Sequence, residues 1–259
     1  MFIEERHQNI MQLLNEKGRV EVQELSALFH ISDDSIRRDL RLMEQKGLLK
    51  KTYGGAVLLD KTGYYPPYSE RLVLNNADKE DIAFIASGFI QENDSIFLDG
   101  STTVAKLVPY LSKFKNIKIF TNSVTIACDI INAENMVDLV LIGGIVHRKM
   151  ANTLGIDTLR DIEKLNVDKV FAAPCAISPE WGLSCSSNEE APLKKALLHA
   201  GRQVYLLAES DKFEKRALIQ FAPLKAEYTV ITDTRLSADV LKEFSEYINK
   251  GMQIINSNN

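Results

Sequence analysis

The first part of the chain repeats apolar residues at intervals of three and four, the period of helices that bury one face. Three such helices are predicted, with apolar stripes at Ile10, Leu13 and Leu14, at Val22, Leu25, Leu28 and Phe29, and at Ile36, Leu40 and Met43. Gly18 ends the first helix, and Ser32 can cap the third by accepting a hydrogen bond from a first-turn N–H. Because only His30 and Ile31 separate the second helix from Ser32, the pattern predicts a helix-turn-helix.

The third helix carries its positive charges on the side away from its apolar stripe. At about 100° per residue, Asp34, Arg38 and Arg41 fall opposite the stripe, and Ser35 and Arg37 lie on its flanks. Such a surface is either an ordinary solvated helix face or the face of a recognition helix that reads DNA. The neighbouring helix and the tight turn favour DNA recognition. The residues that we expect to contact DNA are Ser32, Asp34, Ser35, Arg37, Arg38 and Arg41.

Residues 48–57 predict two short strands around a glycine pair, which together form a β-wing. Gly47 is expected to end the recognition helix just before the wing. The lysines at its base lie where a wing can contact phosphate. The wing residues expected at the DNA are Lys50, Lys51, Tyr53 and Gly54.

Whole-chain charge and local charge point in different directions. The 259 residues carry a formal charge of −4 and the isoelectric point is near 5.7, which argues mildly against nucleic acid. Residues 35–53, however, hold Arg37, Arg38, Arg41, Lys46, Lys50 and Lys51 against only Asp39 and Glu44. Phosphate responds to charge within a Debye length, about 10 Å, so the local charge matters more. Because one small basic patch binds weakly, we expect a homo-oligomer, a dimer or tetramer, that presents two recognition helices about one DNA turn apart.

The overall composition is that of an ordinary globular protein, with 45% hydrophobic and 25% charged residues. No apolar run approaches the roughly 20 residues of a membrane span, and no apolar signal segment follows the N-terminus, so we expect a cytoplasmic protein without a membrane partner. Three cysteines and four histidines are too scattered for a disulfide framework or a metal site. We expect neither a metal nor a cofactor.

A polar segment with two prolines follows the predicted wing. We predict a DNA-binding domain over residues 1–58, a linker over 59–69 and a larger domain over 70–259. The larger domain alternates predicted strands with predicted helices. The strands are 95–98, 117–120, 137–142, 169–173, 203–208, 229–232 and an edge strand 252–255, and the helices include 78–90, 104–111 and 124–131. This alternation predicts an α/β domain with a mainly parallel sheet and helices on both faces.

Small polar residues follow three of the predicted strands, where ligands of such folds bind. They are Asp99, Gly100, Ser101, Thr102 and Thr103, then Thr121 and Asn122, then Gly143 and Gly144. The helix start after Asp99 favours an anion such as phosphate, and Lys212, after a later strand, supplies a cation. A helix cap or a turn also explains each segment alone. Three such segments at one sheet edge favour a shared pocket.

Residues 3–57 resemble the N-terminal winged helix of the DeoR family of bacterial transcription regulators. The matching motif positions are Glu5, Arg6, Gly18, Val20, Val22, Glu24, Leu25, Ile31, Ser32, residues 35–40, Gly47, Leu49 and residues 53–56. Ile31 and Ser35 stand where the family has Val and Thr, which preserves apolar packing and the hydroxyl. Tyr53 stands where the family has His.

The larger domain is similar to the C-terminal domain of the same family, which looks like a relative of ribose-5-phosphate isomerases and coenzyme A transferases. The shared pieces are residues 99–103, 121–123, 143–144 and 210–213, with Lys79, Gly155, Gly182 and Leu183. Asp211 stands where the family usually has Ser, and residues 172–176 lack the family's glycine pattern. The resemblance implies a repressor of carbohydrate-metabolism genes that binds double-stranded operator DNA and is relieved by a phosphorylated sugar.

Two other functions are compatible with parts of this pattern. One is a sugar-phosphate isomerase-like enzyme with an accessory DNA-binding domain, for which Asp99, Glu209 and Asp211 are available carboxylates. The sequence assigns none of them as a catalytic residue, so we expect no enzyme. The other is a redox sensor with a dinucleotide fold, which requires a G-x-G-x-x-G series that neither Gly100 nor Gly143 belongs to.

Overall fold

The structure, a computed structural model, describes residues 3–45, 48–58, 65–133 and 137–258. The chain forms two compact units, Met1–Asn75 and Asn76–Asn259. Lys46, the predicted helix end at Gly47 and the predicted linker residues 59–64 lie outside the described residues. The domain boundaries at 58 and 70 stay a prediction.

The first unit confirms the predicted helix-turn-helix and wing. Its elements are α1 (Ile3–Lys17), β1 (Arg19–Glu21), α2 (Val22–Phe29), α3 (Asp33–Gln45), β2 (Leu49–Lys51), β3 (Gly55–Leu58) and α4 (Tyr68–Val73). His30 makes the turn between α2 and α3 in the left-handed conformation, with φ 55°. The apolar stripes of the three helices pack into one core, in which Ile10, Leu25 and Leu40 are fully buried. The prediction that Leu28 belongs to the buried stripe of α2 is wrong, because its side chain is 54% exposed.

The two predicted strands of the wing, β2 and β3, are joined by a third strand, β1, that the sequence did not predict. β3 lies between β1 and β2 in an antiparallel sheet. A Cβ added at Gly55 would lie 1.9 Å from the carbonyl oxygen of Val20, so only glycine allows β3 to approach β1 this closely. The wing is therefore fixed to the rest of the unit by backbone pairing.

The second unit is an α/β domain, as predicted, built on a seven-stranded parallel sheet. Its strands are β4 (Ser95–Leu98), β5 (Lys118–Thr121), β6 (Asp138–Leu141), β7 (Ile145–His147), β8 (Asn152–Leu154), β9 (Val167–Ala172), β10 (Ala176–Ser178), β11 (Gly182–Cys185), β12 (Gly201–Leu207), β13 (Ile219–Ala222), β14 (Thr229–Ile231) and β15 (Gln253–Ile255). Its α-helices are α5 (Asn76–Ser87), α6 (Thr102–Ala105), α7 (Val124–Asn132), α8 (Ile156–Glu163), α9 (Glu190–Ala200), α10 (Ala238–Glu243) and α11 (Ser245–Asn249).

The main sheet has the strand order β15-β14-β12-β9-β4-β5-β6, and every neighbouring pair is parallel. Two buried apolar clusters flank it, one around Phe97, Val170 and Leu206 and the other around Ile96, Leu98 and Leu207. The side chains of successive strand residues thus pack on opposite faces of the sheet, as expected for a sheet covered on both sides. None of the helices in the described part of the chain is long and apolar enough to cross a membrane.

Three details of this unit differ from the prediction. The helix predicted over 104–111 is split into α6 and a 3-10 helix, Val108–Lys113, because Pro109 has no N–H for an α-helical hydrogen bond. The hairpin β7–β8 was not predicted. Nor was the small antiparallel sheet of β10, β11 and β13.

Candidate functional site

The recognition helix α3 is oriented by its cap and its buried stripe. The Oγ of Ser32 accepts a hydrogen bond from the Ser35 N–H at 3.3 Å, and the two hydroxyls lie 3.0 Å apart. Ile36, Leu40 and Met43 have no exposed surface. These contacts fix which side of α3 faces outward.

The outward side of α3 carries the arginines that the sequence placed there. Asp34, Arg37, Arg38 and Arg41 are exposed, and Ser35 is partly exposed. Within the described residues, none of the three arginines forms an ion pair with a carboxylate of its own chain. Their guanidinium groups are therefore available to an anionic partner such as DNA.

Asp39 lies on the same helix but is buried, and it fastens α3 to α1. The Nε of Arg6 donates to its carboxylate at 2.7 Å, and the Nε2 of His7 lies 3.2 Å from the other carboxylate oxygen. Asp39 counts as an acid in the formal charge of residues 35–53. Its carboxylate is compensated by Arg6 inside the unit, which leaves the outward face to the arginines.

The wing presents a second exposed surface. Lys50 is exposed and Lys51 is partly exposed, and the N–H of Lys51 donates to Glu44 Oε1 at 2.8 Å. The side chain of Tyr53 is fully exposed at the turn between β2 and β3. A Cβ added at Gly54 would meet no atom within 4 Å, so the wing tip is open.

In the second unit, the predicted ligand residues meet at one edge of the main sheet. We call this the carboxyl edge, where β12, β9, β4, β5 and β6 end in adjacent positions. The residues that follow these strands include Glu209, Ala173, Asp99, Asn122 and Gly143. The parallel topology therefore brings together segments that are distant in sequence.

Asp99 is held by a lysine that the sequence analysis missed. Lys194 of α9 donates to Asp99 Oδ2 at 2.6 Å and to the Ala173 carbonyl at 3.0 Å, and the Ala173 N–H also donates to Asp99 Oδ2 at 3.0 Å. Burial alone would lower the pKa of Lys194, but the carboxylates of Asp99 and Glu190 raise it above the usual value. Lys194 therefore carries its positive charge although it is buried. A lysine within the buried apolar stripe of α9 was the available sequence signal.

Glu209 forms a second buried ion pair at this edge. The Nζ of Lys212 lies 2.5 Å from one carboxylate oxygen, and Lys79 Nζ lies 3.7 Å from the other, to which Thr103 Oγ1 donates at 3.2 Å. Burial would raise the pKa of Glu209, but Lys212 and Lys79 lower it to about 2. Lys212 is at the edge, as predicted, but its charge is already paired with Glu209.

Two of the predicted hydroxyl residues act as local structural groups. Ser101 caps α6, because its Oγ accepts from the Val104 N–H at 3.0 Å. Thr121 Oγ1 donates to the Leu98 carbonyl at 2.7 Å and accepts from the Ser123 N–H at 3.0 Å. The cap and turn explanation therefore accounts for these two hydroxyls.

Gly100 and the buried side-chain amides of Asn122 and Asn152 lie at the carboxyl edge. A Cβ added at Gly100 would lie 3.0 Å from the Cβ of Asn152, which belongs to the hairpin strand β8. The Oδ1 atoms of Asn122 and Asn152 are buried and have no hydrogen-bond partner among the described residues. Buried acceptors of this kind favour a ligand that brings hydrogen-bond donors.

The two glycines after β6 have different surroundings. Gly144 has φ +137°, and a Cβ there would lie 1.9 Å from Thr158 Oγ1. Gly143 has open space around its Cα, and its carbonyl accepts from Thr158 Oγ1 at 2.7 Å. Gly144 thus serves packing, whereas Gly143 can face a ligand.

Comparison with known proteins gives matches over both units. Residues 6–62 match the family model of the DeoR-like helix-turn-helix domain, and residues 74–234 match that of the DeoR C terminal sensor domain. The HTH-type transcriptional regulator IolR of Bacillus subtilis (strain 168) is 32% identical over 248 residues, which are 95% of each chain. The lactose phosphotransferase system repressor of Lactococcus lactis subsp. lactis is 30% identical over 245 residues, 93% of this chain and 95% of its own. A solved ribose 5-phosphate isomerase A from Methanocaldococcus jannaschii superposes with a TM-score of 0.40 and 14% identity, covering 54% of this chain and 56% of its own.

The two family models together span most of the sequence, and the relatives align over nearly its whole length. The order of the matched domains is also the order of the two units in the structure. The chain therefore belongs to the DeoR family of transcription regulators, with an N-terminal helix-turn-helix domain and a C-terminal sensor domain.

Proposed function

We propose that this regulator is a repressor of carbohydrate-metabolism genes and that a phosphorylated sugar releases it from its operator. The name of the Lactococcus relative, a repressor of a lactose system, supports the direction and the metabolic setting. The observation that carries the DNA-binding half is the exposed face of α3, where three arginines have no partner among the described residues.

In this proposal α3 and the wing divide the work of binding. Arg37, Arg38 and Arg41 read base edges or adjacent phosphates, and Lys50 and Lys51 hold the backbone beside the wing. Ser32, Asp34, Ser35, Tyr53 and Gly54 complete the surface. Because single arginine-to-base contacts contribute about 1–3 kcal/mol, Arg38→Ala should weaken operator binding roughly tenfold or more.

The DNA test is a fluorescence anisotropy titration of a fragment of the gene's own promoter region at several salt concentrations. Arg202→Ala is the matched control, because Arg202 is an exposed arginine of the sensor unit, 3.4 Å from Asp168. Arg38→Ala should weaken binding and Arg202→Ala should leave it unchanged. Equal losses in both folded variants would reject α3 as the DNA-binding surface.

For the sensor half, we place the sugar phosphate at the carboxyl edge. The phosphate would approach Lys212 in competition with Glu209, and sugar hydroxyls would donate to the buried amide oxygens of Asn122 and Asn152. The other proposed contacts are Asp99, Gly100, Ser101, Thr102, Thr103, Thr121, Gly143 and Gly144. Lys194 donates to the carboxylate of Asp99 and fixes its orientation, so it is a positioning residue.

The sensor test is a thermal-shift screen with pentose and hexose phosphates, since a ligand that binds the folded state raises the unfolding temperature. We expect a shift with at least one sugar phosphate, and a smaller shift in Lys212→Ala. Lys225→Ala is the control, because Lys225 is a partly exposed lysine of the same unit that forms an ion pair with exposed Glu227 at 3.0 Å. No shift with any phosphate in the panel would contradict a sugar-phosphate sensor.

We further propose that the protein acts in the cytoplasm as a homo-oligomer, that it catalyses no reaction, and that its two ligands oppose each other. If sugar phosphate and DNA favour different arrangements of the assembly, each lowers the affinity of the other by the same factor. This reciprocity gives the proposal a quantitative check, because both affinities can be measured separately.

A further inference from the structure

The β6 side of the sensor unit exposes apolar residues that an isolated globular domain would be expected to cover. β6 is the terminal strand of the main sheet, and Val140 and Leu141 are both exposed. Strands of parallel sheets are usually covered on both faces, and an uncovered edge strand is a template for pairing with another chain.

Directly after β6, the hairpin β7–β8 forms a groove with α8 and the start of α9. The groove has a volume of about 430 Å³, and its apolar lining includes Ile145, Val146, Leu154, Ile156, Leu159 and Leu193. Ile145 is 77% exposed and Ile156 is 58% exposed, so both also project from the rim. We call the groove and these projecting residues the hairpin patch.

The hairpin patch has charges of both signs beside it. Glu189 lines the groove, and Arg148 and Lys149 lie in the hairpin turn. All three side chains are exposed, and none forms an ion pair within the part of the chain that the structure describes. A surface with this arrangement can form reciprocal ion pairs with a copy of itself.

We propose that the hairpin patch is a twofold interface with a second copy of this chain, in which Ile145 of each copy fills the groove of the other. A twofold interface uses the same surface on both subunits, so that surface must carry both a projection and a hollow. The hairpin patch has both, in contact with each other. Each groove is then completed by Ile145 of the partner subunit, and Arg148 of one copy faces Glu189 of the other.

This interface rests on the homo-oligomer of the proposed function and assigns the surface that forms it. The two can fail separately, because an oligomer whose dissociation constant is unchanged in folded Ile145→Glu would reject this interface and not the homo-oligomer. A groove for a small apolar ligand would explain the hollow but not the projecting isoleucines. A different protein partner would not require the opposite charges to lie on one patch.

The test is sedimentation equilibrium of the full chain over a wide concentration range. Wild type should dimerise reversibly, and Ile145→Glu should raise the dimer dissociation constant by at least about tenfold, because a charge would enter the apolar groove. Ile248→Glu is the control, because Ile248 is an exposed isoleucine on α11, the helix that precedes β15 in the chain, and β15 is the terminal strand opposite β6. It should change the constant less than about twofold, and circular dichroism melts show whether each variant is folded.

A charge exchange separates this interface from a general loss of solubility or folding. Arg148→Glu and Glu189→Arg should each weaken the dimer, and the double variant should restore it. A monomeric wild type, an unchanged constant in folded Ile145→Glu, or a double variant no tighter than either single variant would overturn the proposal.

Discussion

The buried carboxylate of Asp39 holds α3 against α1, and removing it should loosen α3 without changing any of the residues that we propose to contact DNA. Asp39 has 3% of its side chain exposed and Arg6 has 13%, with 2.7 Å between Arg6 Nε and Asp39 Oδ2. Loss of one partner from a buried ion pair costs about 3–5 kcal/mol, and the partial hydration of Arg6 places Asp39→Ala at the lower end, about 3 kcal/mol.

The assay is hydrogen exchange of the α3 backbone, measured by mass spectrometry on the full chain. A local loss of about 3 kcal/mol corresponds to roughly a hundredfold lower protection, because about 1.4 kcal/mol is a factor of ten. Glu24→Ala is the matched control, since Glu24 forms an exposed ion pair with Lys17. An exposed pair contributes about 0–1 kcal/mol, so the control should change protection less than tenfold.

The same reasoning predicts a partial rescue. In Arg6→Met with Asp39→Leu, neither charge is left without a partner, and apolar replacements of buried ion pairs are often neutral. Protection of α3 should then exceed that of Asp39→Ala. If α3 were as well protected from hydrogen exchange in Asp39→Ala as in Glu24→Ala, the ion pair between Arg6 and Asp39 would not be what holds α3 against α1.

Three further predictions concern the sensor unit. Gly144→Ala should destabilise it by about 2 kcal/mol or more, because the new Cβ meets Thr158 Oγ1 and the backbone has φ +137°; a melt that matches wild type would contradict this packing. Glu209 has a folded-state pKa of about 2, below its ordinary value of 4.5, so its contribution to stability is present above pH 4.5 and is lost as the pH falls towards 2. Glu209→Gln should flatten that part of the melting-temperature profile, and an unchanged slope would show that Glu209 is not the group that titrates. Incubation with pentose and hexose phosphates should give no isomer, and robust turnover would refute a purely sensory domain.

The sequence predicted those features that depend on local periodicity. The stripes of α1, α2 and α3 placed most of the first core correctly, and β4 was predicted with the observed bounds. Leu28 shows the limit of this method, since a helix of eight residues need not bury every apolar position.

Contacts between distant residues could not be read from the sequence. Arg6 and Asp39 were both recognised as motif residues, yet their pairing across 33 positions depends on how α1 packs against α3. Lys194 lies 95 positions from Asp99 and meets it only because α9 packs behind the carboxyl edge. Pairing at this distance is set by tertiary structure and not by spacing.

Short elements were missed for a related reason. The strands β7, β8 and β10 have three residues each, too few to show an alternating pattern. The hairpin β7–β8 was therefore not predicted, although its strand β8 places Asn152 beside Gly100 at the carboxyl edge. The sequence thus located the edge but not all the residues that line it.

The most direct test of the central claim is the affinity of the purified protein for its own promoter region, measured at two salt concentrations with and without the sugar phosphate that raises its melting temperature. The account predicts an affinity that falls as salt rises, because α3 and the wing displace counterions from phosphate, and that falls again when the sugar phosphate is bound. Well-folded protein whose binding to that DNA is absent, or is independent of salt, would contradict it.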